Sequence, residues 1–434
     1  MDPVVISASL IMLIGLTLLL IIGAPVSIAL GVPSVLAMIV IVGFDNGMLA
    51  SAQRMFSGIN SFPLLAIPFF VLAGVIMNNG GIATRLVNCA KVLSGRIPGS
   101  LAQTNVIANA MFGSISGSSV AAVAAVGQTL TPEMEKDGYK NEFSAAVNVA
   151  AAPSGMLIPP SNTLIVYSLV SGGTSIAALF MAGYIPGILW ALACMVVAFI
   201  ISKKHGYRSS ERVSLKVAIK TILDAIPSLL LVVIVIGGII GGVFTATEGA
   251  AIAVVYSLLL SFIYRAVKIK DLPRIFLEST RTTALVTLLI AVSSIMSWVM
   301  AFTNIPGLMG EAMLSLSDNP IIILLIMNIV LLFIGTFMDP TPGVLIFTPI
   351  FLPIVMEFGM DPVHFGIIIV MNMAIGNISP PVGSVLFVGA KIANVKVENI
   401  IMPLMPFFGA LIVALLLVTY IPELSLWLPR LFGL

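Results

Sequence analysis

The sequence predicts an all-α polytopic membrane protein built from two inverted repeats. Of its 434 residues, 59% are hydrophobic and only 9% are charged, and the mean hydropathy is +1.16. A soluble domain carries roughly 25% charged residues, so this chain has too little polar surface to face water on all sides. Several apolar stretches are long enough to cross a bilayer, and a set of glycines and prolines recurs about halfway along the chain.

The recurrence has a nearly constant spacing. Gly113 returns as Gly335, 222 residues later. Other positions return after 221 residues, so that Pro132, Gly138, Gly155 and Pro159–Pro160 recur as Pro353, Gly359, Gly376 and Pro380–Pro381. Repeat arrays use much shorter periods, so the pattern indicates a duplicated membrane domain. Interrupted apolar segments at matching places in two halves are typical of the binding region of a transporter.

Each predicted repeat contains the same series of elements. The first repeat covers 1–201, a linker covers 202–224, and the second repeat covers 225–434. Amphipathic stretches at 81–96 and 306–318 are predicted to lie along the membrane interfaces as connecting arms, and surface turns of no mechanical role are the alternative. The other elements are spans 4–22, 24–43 and 60–79, interrupted segment 98–131, broken span 142–170 and span 177–201, then spans 225–244, 247–264 and 282–303, interrupted segment 320–356, broken span 363–390 and span 399–421.

The interrupted segments are too short to cross the bilayer and return. Residues 98–131 leave each arm about 17 residues at most. After the tip is subtracted, an arm is roughly 22 Å of helix, against a hydrocarbon core of about 30 Å. We therefore expect two re-entrant hairpins whose tips stop near mid-membrane. A single tilted and kinked span is the alternative, although irregular backbone at that depth requires a protein or aqueous lining.

The basic residues set the expected orientation. When both ends of the first hairpin are placed in the cytoplasm, every lysine and arginine except Arg54 and Arg430 falls on a cytoplasmic segment. This is a strong positive-inside bias. It places both termini on the opposite side and makes the two repeats inverted. Inverted repeats are the architecture of alternating access, so we expect an ion-transporter-like scaffold plus an elevator transport domain formed by the hairpins and broken helices.

No enzyme chemistry is visible in the sequence, and no organic cofactor is expected. His205 lies in the basic linker and His364 at the outer edge of a span, and neither has the partners expected for metal or acid–base work. Cys89 and Cys194 are too few and too scattered for a metal cluster or a disulfide framework. A Walker A phosphate-binding loop is absent from the sequence. Energy for uphill movement is therefore expected from an ion gradient or another subunit.

Each hairpin tip is predicted to face a break, and these regions form the candidate site. Interrupting a helix frees backbone carbonyl groups, because proline removes donors and glycine permits unusual dihedral angles. Freed carbonyls and hydroxyls suit Na+, whereas the N-terminal ends of half-helices suit a carboxylate. Asp339 adds an ionisable group at the second tip. A single Gly/Ser cluster is more often a helix-packing surface, but two clusters at matching repeat positions favour a binding region. The first tip and break are 113–119 and 153–160, and the second are 335–342 and 376–381.

Polar side chains near the breaks are candidates for contact with a substrate. They are Ser118, Asn148, Asn162 and Thr341. Interhelical hydrogen bonding is an alternative for such residues. No Arg or Lys falls at the predicted mid-membrane depth, so a carboxylate would be held mainly by helix N-termini and hydroxyl groups, or by Arg54 if its loop on the outer side folds inward.

Six sequence motifs resemble those of the large membrane subunit of tripartite ATP-independent periplasmic (TRAP) transporters. They are GSISGSSVAAVAAVG, PSGMLIPPSN, GTFMDPTPG, AIGNISPPVG, GAPVSIALG and FTATEGAAIAVVYSLL. The resemblance covers essentially the whole chain and implies a bacterial inner-membrane, Na+-coupled importer of an organic acid with an elevator mechanism. It also implies a small four-helix membrane subunit and a periplasmic substrate-binding protein as partners. Because the chain begins at its own first span, the small subunit is expected to be a separate chain, and both termini are expected to be periplasmic.

The resemblance also implies two or more Na+ ions, held by residues that match the family's motifs. The first set is Gly113, Ser116, Gly155, Ile158 and Pro160, and the second is Gly335, Thr336, Asp339, Gly376, Ser379 and Pro381. The expected substrate is a sialic-acid-type sugar acid or a C4-dicarboxylate. A stand-alone sodium/dicarboxylate-type symporter that needs no binding protein is the alternative. An ion channel is disfavoured, because the sequence contains no recognisable selectivity filter or ring of charged residues.

Overall fold

The computed structural model describes residues 3–95, 97–207, 214–317, 319–380 and 382–434. Every regular element in these ranges is helical. The helices of the first half are α1 Pro3–Ile21, α2 Val26–Val42, α3 Phe44–Ile59, α4 Ala66–Asn79, α5 Ile82–Ser94, α6 Ser100–Ser116, α7 Ser119–Lys136, α8 Asn141–Ala151, α9 Ser154–Leu157, α10 Asn162–Val170 and α11 Ile176–His205.

The second half follows a similar order. Its helices are α12 Leu215–Ile240, α13 Ala246–Ile263, α14 Leu272–Phe302, α15 Ile305–Leu316, α16 Pro320–Gly335, α17 Pro340–Glu357, α18 Pro362–Gly376, α19 Ser384–Ile392, α20 Val397–Tyr420 and α21 Glu423–Leu431. Short 3-10 turns precede α4 and α14.

Eight helical segments of the described chain are long and apolar enough to cross a membrane. This confirms the prediction of an all-α polytopic membrane protein. The eight include α17, which was predicted as a hairpin arm. In its most apolar stretch 67% of the residues are buried inside the protein, against 11% for α1. Helix α17 is therefore an interior helix, whereas α1 presents its apolar side chains outward.

Two helical pairs form where hairpins were predicted. Helices α6 and α7 pack against each other and are joined by Gly117 and Ser118. Gly117 has φ of +62°, a left-handed conformation that glycine adopts without strain. Ser118 caps α7 by accepting a hydrogen bond from the amide of Ala121 at 3.3 Å. Helices α16 and α17 form the second pair. That the tips stop at mid-membrane stays a prediction.

Both predicted breaks interrupt helices. In the first half α8, α9 and α10 replace one continuous helix, with Pro153 and the pair Pro159–Pro160 at the interruptions. In the second half α18 ends at Gly376 and α19 begins at Ser384. Proline lacks the amide hydrogen that a helix interior needs, which accounts for the breaks at these positions.

Three elements differ from the predicted boundaries. The linker is shorter than 202–224, since α11 continues to His205 and α12 begins at Leu215. Helices α3 and α21 occupy stretches in which no span was predicted. Both are amphipathic, so their mean hydropathy is too low for a span to be predicted. Arg54 therefore lies on a helix and not in a loop.

The helices pack as two groups. Helices α1–α4 pack with α12–α14, and we call these the outer group. Helices α6–α11 pack with α16–α21, and we call these the hairpin block. The hairpin block includes α11 and α20, which the sequence assigned to the scaffold. It therefore contains more than the hairpins and broken helices.

The arm helix α5 contacts both groups. It packs against α4 and α12 of the outer group and against α6 and α7 of the hairpin block. The Arg85 guanidinium lies 3.4 Å from the centre of the Tyr264 ring, at the end of α13 in the outer group. Lys91 forms a salt bridge of 2.6 Å with Glu133 of α7 in the hairpin block. Helix α15 likewise contacts α14 and α17. Both helices thus contact the two groups; that they lie along the membrane interfaces stays a prediction.

Candidate functional site

The first tip and the first break touch through two glycines. Gly113 lies in the last turn of α6, and Gly155 lies in α9. A Cβ atom placed on Gly113 would be 2.6 Å from the Cα atom of Gly155, and one placed on Gly155 would overlap the backbone of Gly113. Interiors this tightly packed tolerate added volume poorly. The two glycines therefore allow a backbone-to-backbone contact that no other residue permits.

The remaining residues of the first predicted Na+ set lie around this contact. The hydroxyl of Ser116 is 3.4 Å from the carbonyl oxygen of Ser118. The carbonyl oxygen of Pro160 faces Gly117, at 3.3 Å from the position that a Cβ atom would take. Ile158 lies against a glycine of α11. The tip and the break thus bring carbonyl and hydroxyl oxygens to one region.

The second tip and break repeat the glycine contact. A Cβ atom placed on Gly335 would be 3.1 Å from the Cα atom of Gly376, and one placed on Gly376 would overlap the backbone of Gly335. The amide of Val382 also donates a hydrogen bond to the carbonyl of Thr336 at 3.2 Å. These glycines are the repeat equivalents of the pair in the first half. The duplication in the sequence is therefore also a duplicated contact in space.

Asp339 lies at the N-terminus of α17, in the N-cap position. Its Oδ1 atom accepts a hydrogen bond of 2.7 Å from the hydroxyl of Ser384, the first residue of α19. The backbone dipoles of a helix N-terminus favour a negative charge. The Asp339 side chain is exposed, so its carboxylate is open to a further ligand. It is the only carboxylate in either predicted Na+ set.

Carbonyl oxygens line the second break because residue 383 is a glycine. A Cβ atom on Gly383 would lie 2.5 Å from the carbonyl oxygen of Asn377 and 2.8 Å from that of Ser379. Carbonyl, hydroxyl and carboxylate oxygens are hard donors, which suit hard cations better than soft transition metals. The donor chemistry of the second set therefore fits Na+. Pro381, the last member of that set, lies outside the described residues.

Three of the predicted substrate residues lie at the tips and breaks. Ser118 and Asn162 are partly exposed to solvent and lie at the N-termini of α7 and α10. The Oδ1 atom of Asn162 is buried and has no hydrogen-bond partner among the described residues. Thr341 lies in the first turn of α17. Each of these side chains sits at a helix N-terminus, where the backbone also favours an anion.

The other two predicted substrate residues make different contacts. The amide of Asn148 donates to the carbonyl of Val123 at 2.8 Å and accepts from Asn109 at 3.0 Å. This is the interhelical bonding expected as the alternative. The Arg54 guanidinium lies 5.5 Å from the centre of the Trp298 ring of α14. This contact holds Arg54 on the outer group.

The sequence did not reveal how the two regions are connected. Asn377, at the end of α18, donates a hydrogen bond of 3.3 Å to the hydroxyl of Ser119 at the first tip. These residues are 258 positions apart. Asn377 also accepts hydrogen bonds from Ser384. Both residues lie in motifs that were recognised, but no sequence pattern predicts that they pair.

The arrangement defines a class of protein. Helical pairs whose tips meet interrupted helices, set among long apolar helices, are typical of membrane transporters. The chain belongs to the TRAP transporter family as its large permease component. The family model described as "Tripartite ATP-independent periplasmic transporter, DctM component" matches residues 13–424. The protein is thus a multi-pass protein of the inner membrane.

Similar proteins support this membership. The chain is 52% identical to the protein YgiK of Salmonella typhimurium, over 92% of each chain. It is 39% identical to the C4-dicarboxylate TRAP transporter large permease protein DctM of Pseudomonas aeruginosa, over 92% of this chain and 93% of that one. It is 37% identical to the sialic acid TRAP transporter large permease protein SiaM of Vibrio cholerae, with the same coverage.

The fold is also similar to that of a solved transporter. The crystal structure of the YdaH transporter of Alcanivorax borkumensis matches with a TM-score of 0.60. The match covers 91% of this chain and 90% of that one, at 12% sequence identity. At this identity the likeness shows the fold alone.

Proposed function

We propose that this protein is the large permease of a TRAP transporter that imports an organic acid into the cytoplasm, coupled to Na+. The observation that carries the proposal is the duplicated glycine contact between tip and break, with Asp339 beside the second contact. The substrates named for the DctM and SiaM relatives support a C4-dicarboxylate or a sialic-acid-type sugar acid.

In this proposal oxygen atoms bind the Na+ ions, and helix N-termini bind the substrate. Carbonyl and hydroxyl oxygens at the two tip–break regions would hold two or more Na+ ions, with Asp339 contributing the one formal negative charge. Helices α7, α10, α17 and α19 all begin at a tip or a break. Their N-terminal amides carry partial positive charge, which would hold the carboxylate of the substrate without a buried arginine or lysine.

Transport would proceed by movement of the hairpin block against the outer group, as in an elevator. We include α11 and α20 in the moving part, because both pack on the hairpins and broken helices. The first tip meets the outer group at Gly74 of α4, where a Cβ atom would lie 3.1 Å from the carbonyl oxygen of Ser116. A glycine at this boundary leaves a smooth surface past which the tip can slide.

The proposed complex has two further components. One is a small four-helix membrane subunit, as a separate chain, and the other is a periplasmic substrate-binding protein that delivers the organic acid. Both termini of the permease would be periplasmic. Helix α1 exposes apolar residues such as Ile14 and Leu18, which would face lipid or the small subunit.

Reconstituted uptake tests the proposal. Proteoliposomes that contain the permease and the small subunit should accumulate labelled organic acid only when the binding protein and external Na+ are both present. Undiminished uptake after replacement of Na+ by choline, with no proton gradient, would contradict Na+ coupling. Uptake by the permease alone, without either partner, would favour a stand-alone sodium/dicarboxylate-type symporter.

A further inference from the structure

A chain of hydrogen bonds joins the two tip–break regions through Asn377. This residue is 2% exposed and ends α18. Its Nδ2 atom donates to the hydroxyl of Ser119 at 3.3 Å, and its Oδ1 atom accepts from the backbone amide of Ser384 at 3.1 Å. Because a backbone amide can only donate, the Oδ1 atom must face Ser384. The orientation of the Asn377 amide is therefore fixed by its partners.

The Ser384 hydroxyl group has one hydrogen to donate and two acceptor oxygens within reach. Its Oγ atom is 2.7 Å from the Oδ1 atom of Asp339 and 2.8 Å from the Oδ1 atom of Asn377. A serine hydroxyl donates a single hydrogen bond, so it can satisfy only one of these oxygens at a time. The Ser384 hydroxyl is therefore a two-position donor between the second tip and the chain that leads to the first tip.

From this geometry we propose that Ser384 and Asn377 are positioning residues that couple Na+ binding at the two tip–break regions. The inference rests on the proposed function. Without a cation, the Asp339 carboxylate takes the Ser384 hydrogen, because a charged acceptor forms the stronger hydrogen bond. When a cation offsets the charge of Asp339, the hydroxyl turns to Asn377. The Asn377 amide is then held firmly, and through Ser119 it fixes the first tip.

The coupling is built into the second repeat only. The residue 221 positions before Asn377 is Met156, and the residue 221 positions before Ser384 is Thr163. The Met156 side chain has no amide group that could bridge the two regions, so the first break cannot form the same chain. Cation binding at the second region therefore favours binding at the first, and the Na+ response of the protein is positively cooperative.

Equilibrium binding of radioactive ²²Na+ tests this coupling. The full chain in lipid nanodiscs is titrated with NaCl, with choline chloride keeping the ionic strength constant. We expect a sigmoidal binding curve with a Hill coefficient above 1. In the Ser384→Ala and Asn377→Ala variants the Hill coefficient should fall to about 1. The Na+ concentration at half-saturation should rise at least about threefold. Ser384→Thr keeps the hydroxyl and should restore cooperativity.

A control variant separates coupling from the simple loss of a serine hydroxyl. The hydroxyl of Ser257 bonds to carbonyls of its own helix, α13, so Ser257→Ala should leave the Hill coefficient unchanged. A cooperative wild-type response that persists in Ser384→Ala and Asn377→Ala would overturn the coupling and leave the proposed function intact. A wild-type response with a Hill coefficient of 1 would do the same. No Na+ response in the wild type would overturn both.

Discussion

Gly113 and Gly155 lie backbone to backbone, so close that neither can carry a side chain. A similar contact joins Gly335 and Gly376 in the second half, where a Cβ atom on Gly376 would overlap the backbone of Gly335 and one on Gly335 would lie 3.1 Å from the Gly376 Cα atom. In both places a hairpin tip is located by its main chain and not by its side chains. The position of the tip is therefore set by close backbone packing, while nearby side chains remain free to bind ligands.

Adding one methyl group at these contacts should separate tip from break. We expect Gly155→Ala and Gly376→Ala to reduce Na+-dependent uptake to below about a tenth of wild type and to lower the unfolding midpoint, since overpacking costs about 1–3 kcal/mol. Gly409→Ala is the control, because a Cβ atom there meets nothing within 4 Å. Equal uptake by all three variants would show that the contact is not needed for transport.

The Asp339 carboxylate can be compared with a second N-terminal aspartate. Asp361 caps α18 by accepting a hydrogen bond of 2.8 Å from the amide of Val363. Asparagine caps helices as well as aspartate does, so Asp361→Asn should keep uptake within about twofold of wild type. Asp339→Asn should reduce uptake at least about tenfold and raise the Na+ concentration needed for half-maximal rate. Near-wild-type uptake by both variants would remove Asp339 from the site.

The boundary between the two helix groups can be obstructed without replacing any residue of the proposed Na+ sets. We expect Gly74→Val to reduce uptake several-fold, because the added side chain meets the first tip at the carbonyl of Ser116. Na+-dependent stabilisation should remain, since no proposed Na+ ligand is removed. Gly237→Val provides the control, as a Cβ atom there meets nothing within 4 Å. If Gly74→Val transports normally, the tip does not pass this surface.

Disulfide crosslinking should report movement at the same boundary. Met77 of α4 and Ile115 of the first tip line one small cavity between the two groups. In a protein whose native Cys89 and Cys194 are replaced, the pair Met77→Cys and Ile115→Cys should crosslink to different extents with and without Na+ and substrate. An identical extent under both conditions, in protein that still transports, would leave the elevator without support.

Much of the fold follows from local sequence properties. Gly117 ends α6 because glycine adopts a positive φ freely, and the double prolines interrupt the broken helices. These signals are local and can be read without a structure. Helix α3 was not predicted, because its apolar residues occupy one face only. This lowers the mean hydropathy on which the prediction of a span depends.

The candidate site could be predicted only as a set of segments. Glycine spacing identified the four residues of the two backbone contacts, because their repeat period is visible in the sequence. The contact between Asn377 and Ser119 depends on how two halves pack, and residues 258 positions apart leave no periodic trace in one sequence. For the same reason the sequence could not distinguish Asn148, which bonds to Asn109 and Val123, from Asn162, whose Oδ1 atom has no partner among the described residues.

The two attachments of α5 limit how the protein can move. Its 13 residues form a stiff rod roughly 20 Å long, fixed by Arg85 at one end and by Lys91 nearer the other. A rod cannot stretch, so any displacement of the far end must appear as a change of tilt. Raising that end by about 10 Å would rotate a 20 Å rod by roughly 30°. Spin labels at the two ends of α5 should therefore keep a constant separation during transport. The length of α5 would limit how far the proposed displacement can go.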